Sequence, residues 1–166
     1  MKLAMDVFRN PGAAYLGGSF DAIPDIPSPL HIGIENSRRF RALPVYANLV
    51  SYGRDGYRDM LERQIGLSRR IAEYIYESPN FDLLPRSTKA LKERLAETYI
   101  VVLFRAKSDE LNRQLVKRIN SSRKIYVSGT AWDGELACRF AVSNWRVDIE
   151  RDLKIIKEVL DSVLVD

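Results

Sequence analysis

The apolar positions of the chain change period along its length. From Tyr57 to about Glu77, the residues Tyr57, Met60, Leu61, Ile65, Ser68, Ile71, Ala72 and Ile75 recur at three- and four-residue spacing, which predicts an amphipathic helix stopped by Ser78-Pro79-Asn80. A shorter stretch of the same period, Phe40, Leu43, Ala47 and Val50, predicts a helix over Glu35 to Tyr52, with Asn36 or Ser37 as its cap, Pro44 as a point of kinking and Gly53 as its end. Beyond Ser78 the pattern shortens. Phe81 to Leu84 reads as a short strand and Tyr99 to Phe104 as a continuous apolar strand; Ser87 to Glu97 between them reads as either a short helix or an exposed insertion. Ser108 is placed to cap a helix running to about Asn120, with Leu111, Leu115, Val116 and Ile119 facing inward. Lys124 to Ser128 alternates as a strand, Ser128-Gly129-Thr130 with Asp133-Gly134 supplies a turn, and Glu135 to Ser143 alternates again. In that last strand Leu136, Cys138, Phe140 and Val142 share one face and Arg139 takes the other. A final helix over about Val147 to Leu164 carries Ile149, Leu153, Ile156, Leu160 and Val163 on one stripe.

Strand, strand, helix, strand, strand, helix is the order of an α+β unit, a small antiparallel sheet with helices on one face. The two helices before Ser78 are expected to lie outside it and to need another surface for their apolar stripes. The first third differs in character. Asn10-Pro11-Gly12, Gly17-Gly18-Ser19, Pro24, Pro27 and Pro29 crowd into one segment, so neither helix nor central strand runs through it, and a loop of this length is typically a functional lid or unstructured. It carries an isolated aromatic, Tyr15.

Composition removes several classes of function. With 29% charged residues and no apolar run of about 18 residues, a membrane span is not expected. The beginning of the chain lacks the apolar core of a secretory signal, which gives a cytoplasmic expectation. Cys138 is the one cysteine and His31 the one histidine, so no internal disulfide, Cys/His metal site or zinc-hydrolase pattern can form, and His31 reads as a loop residue between prolines. The 26 basic and 22 acidic residues are interspersed, leaving no concentrated basic face for nucleic acid. No phosphate-cradling or dinucleotide glycine motif is present, and Asp109-Glu110 suits a helix dipole better than catalysis.

One phrase stands apart: Gly33-Ile34-Glu35-Asn36-Ser37-Arg38-Arg39-Phe40-Arg41-Ala42-Leu43-Pro44, followed by Tyr52-Gly53-Arg54-Asp55-Gly56-Tyr57. Further blocks follow in order: Phe104-Arg105, Asn112, Leu115, Ile119-Asn120-Ser121, Ile125 to Thr130, Cys138 to Val142 and Asn144-Trp145. The series resembles the C-terminal portion of the group II pyridoxal-phosphate-dependent amino-acid decarboxylases, the glutamate, aromatic-amino-acid and diaminobutyrate type. Ala90 to Thr98 is the stretch least like it and reads as an insertion.

The resemblance implies part of a fold-type I transferase-like fold: residues 1–56 as a remnant of the large cofactor domain with a lid loop and helix, and residues 57–166 as a linking helix and small C-terminal domain. It implies pyridoxal 5'-phosphate as cofactor, an amino acid as substrate and a homodimer with active sites at the subunit interface. Tyr15 falls where the family's mobile-loop tyrosine returns a proton to Cα after carbon dioxide leaves; loop packing is the competing reading. Arg38 falls where glutamate-type relatives hold a substrate carboxylate, which a planar guanidinium grips through two bonds; a helix-start pair with Glu35 or Asp55 competes. Arg139 matches by topology the carboxylate-binding arginine of related aminotransferases. The family's Schiff-base lysine belongs to a His-Lys pair that this sequence lacks, and Lys2 precedes the loop too closely to replace it. The chain is therefore expected to be a fragment, a truncated relative or a partial gene product, inactive alone. The rival is a non-catalytic α/β module that binds a partner.

Overall fold

The computed structural model describes residues 42–164. The chain groups into two units, Met1–Gly53 and Arg54–Asp166. In the first, the described residues are helical. Their helix and the next are one element by hydrogen bonding, α1 (Ala42–Glu77), interrupted at Gly53, whose φ of 59° and ψ of −173° are not helical.

In the second unit α1 is followed by β1 (Phe81–Leu84), α2 (Leu91–Glu97), β2 (Val101–Ala106), α3 (Asp109–Ser121), β3 (Ser128–Trp132), β4 (Glu135–Ala141) and α4 (Ile149–Ser162). The strands form one antiparallel sheet in the order β1-β2-β4-β3. Register puts Leu83 opposite Phe104, Phe104 opposite Cys138 and Val102 opposite Phe140, so one face of the sheet is apolar throughout. Leu67, Ile71 and Ile75 of α1, Leu115 and Ile119 of α3, and Leu153, Ile156 and Leu160 of α4 close over that face. Three rings mark its centre: Phe81 meets Phe104 edge-on at 5.8 Å and Phe104 stacks on Phe140 at 5.3 Å.

Local chemistry sets the element ends. The Ser108 hydroxyl accepts the Leu111 amide at 3.3 Å and opens α3. At α4, Asp148 accepts the Arg151 amide at 2.9 Å while Asp152 accepts the Asp148 amide at 3.0 Å, a reciprocal cap. Asp133 (φ 52°) and Gly134 (φ 78°) form the two-residue turn between β3 and β4, where paired left-handed residues match the twist of the strands.

The fold follows the expected order, with four corrections. The helix ending at Glu77 does not lie outside the α+β unit: Leu67, Ile71, Ala72 and Ile75 belong to the same core as the sheet, because its apolar stripe finds there the surface it needs for burial. Arg63 and Gln64 fix it there, donating to the carbonyls of Val147 at 2.9 Å and Asn144 at 3.2 Å. The strand expected over Lys124 to Ser128 begins only at Ser128, and the turn expected at Ser128-Gly129-Thr130 is strand instead. Leu136 is exposed, since its position by the hairpin turn reaches past the helices. Of the segment expected as either a short helix or an insertion, Leu91–Glu97 is helix, α2. The expected lid loop, with Tyr15, and the Arg38 helix start lie outside the described residues.

Candidate functional site on the open face of the sheet

The alternation that turns Cys138 and Phe140 into the core turns their neighbours outward. The opposite face of the sheet carries Asp82 and Leu84 from β1, Leu103 and Arg105 from β2, Ala137 and Arg139 from β4, and Ser128 and Thr130 from β3. No described helix contributes to this face the apolar cover that the core face receives.

Two arginines stand on it in contrasting states. Arg105 is only 7% exposed and fully engaged: Nη2 donates to Asp109 Oδ1 at 2.8 Å, Nη1 is ion-paired to Glu135, and Nε lies 3.5 Å from the Ala106 carbonyl. The acids belong to the first turn of α3 and the first residue of β4, so Arg105 ties both to the middle of the sheet. Arg139, opposite Leu103 and Ser128, is half-buried, and its Nε is buried without an acceptor among the described residues. A buried donor left unmet costs about 1–3 kcal/mol, so the unmet Nε–H of Arg139 is a position that an added acceptor would satisfy. A carboxylate or phosphate matches the guanidinium fork with two parallel bonds.

Arg139 thus stands on the face expected from its alternation with Cys138. The sequence reading missed Arg105, although the signal was present: a cation inside the apolar run Val101–Ala106 with an acid four residues on. A cleft of about 390 Å³ opens beside the face between β1 and β2, lined by Leu84, Pro85, Arg86, Lys89, Arg94 and Leu103. It ends at Leu103, one strand short of Arg139, and its cations are occupied: Arg86 with Asp82, Lys89 with Glu97, Arg94 with the carbonyls of Leu83 and Pro85.

Similarity to known proteins runs through these elements. The chain is 30% identical over 119 residues to the aromatic-L-amino-acid decarboxylase of Sus scrofa, matching 71% of this chain and 22% of that protein. It is 27% identical over 130 residues to 3,4-dihydroxyphenylacetaldehyde synthase of Aedes aegypti, matching 78% of this chain and 23% of that protein. The chain belongs to the group II pyridoxal-phosphate decarboxylase family. Among solved structures of this fold, tryptophan decarboxylase of Catharanthus roseus aligns with a TM-score of 0.61 at 19% identity, over 81% of this chain and 28% of that one. The 4-hydroxyphenylacetaldehyde synthase of Rhodiola rosea aligns with a TM-score of 0.61 at 21% identity, over 93% and 32%. No family model matches the chain. It spans about a quarter of the length of the curated relatives it matches.

The described residues do not fit the cofactor of this decarboxylase family. A Schiff base needs a sheltered lysine, yet Lys89, Lys92, Lys107, Lys117, Lys124 and Lys154 are exposed, and Lys157 stands over the Tyr74 ring at the surface of the helices. No step through the cofactor is therefore assigned to them. Among the described residues there is no cluster of metal-ligating side chains, and no helix is long and apolar enough to cross a membrane.

Proposed function

We propose that this chain is the carboxylate-reading portion of a pyridoxal-phosphate-dependent amino-acid carboxy-lyase, an enzyme that releases carbon dioxide from an L-amino acid to give an amine. The observation that carries the reading is the unmet Nε–H of Arg139 on the open sheet face, in a chain of the decarboxylase family. Arg139 holds a substrate carboxylate through its planar fork and thereby fixes the orientation of the amino acid. Arg38 is a second carboxylate ligand and Tyr15 the acid that returns the proton to Cα; both roles rest on sequence resemblance. The cofactor lysine comes from outside this chain. A cytoplasmic homodimer is the form in which we expect the intact enzyme to act.

The test uses the native protein. Its mass, its oligomeric state and the release of labelled carbon dioxide from carboxyl-labelled L-amino acids should be measured together, with the organic product identified. We expect a protein longer than 19.0 kDa that yields an amine. An aldehyde product would overturn the carboxy-lyase assignment. Absence of carbon dioxide release from aromatic, acidic and diamino substrates alike would favour a non-catalytic module.

A further inference from the structure

Arg105 and Arg139 are diagonal neighbours on the open face, since Arg105 lies two residues along β2 from Leu103, the residue opposite Arg139. On an antiparallel pair such diagonal positions lie roughly 7–8 Å apart at the backbone, and long side chains on them can reach one ligand. Two free guanidinium groups on such neighbours would make a dianion receptor. The structure has only one. Asp109 and Glu135 occupy both ends of the Arg105 fork, and the trio carries one net negative charge, which balances Arg139 across the strand.

We propose that Glu135 and Asp109 mask Arg105, so that the face presents a single receptive guanidinium, Arg139, and takes its ligand through one carboxylate rather than two. The inference rests on the reading of Arg139 as a carboxylate ligand and adds its specificity. Arg105 is itself buried, and both of its acidic partners reach it from the surface. Asp109 and Glu135 themselves are exposed, at 78% and 59% of their side-chain surface, and either can be neutralised without opening the core. With Glu135 neutral, Nη1 of Arg105 loses its charged partner, and the face gains one positive charge next to the existing receptor. Glu135 is in this sense a specificity-determining residue that touches no ligand.

The experiment follows the arginine Nε–H signals of the full 166-residue chain by NMR, assigned with R139K and R105K, during titration with propionate or glutarate at constant ionic strength. In the unsubstituted chain both probes should move the Arg139 signal with similar affinity and leave Arg105 unmoved. In E135Q, glutarate should move both signals, and its affinity relative to propionate should rise about fivefold, the ratio expected for one released ion pair. D109N, which frees the other end of the fork, should act in the same direction and stands in should the E135Q spectrum lose its dispersion. If Arg139 responds throughout but neither variant raises the glutarate preference, the mask is overturned while the Arg139 reading survives. If Arg139 responds to neither probe in the unsubstituted chain, the carboxylate reading itself fails.

Discussion

Asn120 holds Val127 by both of its backbone groups: its Nδ2 donates to the Val127 carbonyl at 3.0 Å, and its Oδ1 accepts the Val127 amide at 2.9 Å. One side chain thereby mimics a strand partner and pins the segment between α3 and β3 to the end of the helix. Val127 is 1% exposed, so neither backbone group has water as an alternative.

Asn120→Ala removes both bonds and strands a buried donor and acceptor together. We expect a loss of about 2–3 kcal/mol in urea unfolding. Asn120→Asp keeps the acceptor but deletes the donor and sets a negative charge in the last turn of α3, where the helix dipole disfavours it. It should recover less than half of the loss. A change under about 0.5 kcal/mol for the alanine variant would show that the segment is held by Val127 packing instead.

The same contact explains why β3 begins later than its sequence pattern predicts. Lys124 to Ser128 alternates well enough to suggest a strand, but alternation does not reveal that Asn120 satisfies Val127 in place of a neighbouring strand, or that Arg123 takes a positive φ of 54°. Signals within one element were readable. The Ser108 cap, the Asp133-Gly134 turn, the Phe81–Leu84 strand and the outward face of Arg139 all follow from local pattern. What depends on two distant segments was not: the docking of Leu67, Ile71 and Ile75 under the sheet, and the burial of Arg105 between acids from two different elements. For the site, sequence pointed to Arg139 through resemblance, while the missing acceptor at its Nε is visible only in three dimensions. Tyr15 and Arg38 lie outside the described residues and remain sequence inferences.

The hairpin turn gives a second stability prediction. Gly134 holds φ at 78°, a region where a Cβ is strained even though nothing lies within 4 Å of where it would sit. Gly134→Ala should therefore cost about 1–2 kcal/mol from backbone strain alone, with no steric component. Gly134→Asn, which tolerates the left-handed region better, should cost less. Thermal melts of the two variants compare them directly, and equal losses would mean that the turn relaxes to another geometry.

Cys138 gives a pH prediction. Burial against Phe104 and its neighbours pushes the thiol up to about 12, because the thiolate would have to form away from water. The unfolded chain titrates near ~8.5. Between those values the unfolded state has released a proton that the folded state retains, so stability should fall as pH rises from about 8.5 toward 12 and be flat in this respect below that range. Cys138→Ala should remove this slope while lowering stability at pH 7. The native thiol should also resist a thiol reagent at pH 8 and react only with the rate of unfolding. Rapid labelling of the folded chain would contradict its burial.

Arg139 separates stability from function. If the unmet Nε is a standing cost retained for a ligand, then removing the charge while keeping the aliphatic stem should stabilise the isolated chain. Arg139→Met fills nearly the same space beside Leu103 and deletes the buried donor. Replacing an unsatisfied polar group by an apolar one of similar shape is neutral or favourable, and we expect a gain of about 1 kcal/mol. Arg139→Lys keeps a charge that can reach water at the end of a flexible stem, and should fall between the two. In the intact enzyme the order should reverse, with the methionine variant showing the larger rise in KM for its amino acid. Urea denaturation of the chain and substrate kinetics of the full protein form one paired measurement. A methionine variant that is destabilised by more than about 1 kcal/mol would mark Arg139 as a structural residue whose stem packs the sheet, and its role as a carboxylate ligand would then have to be given up.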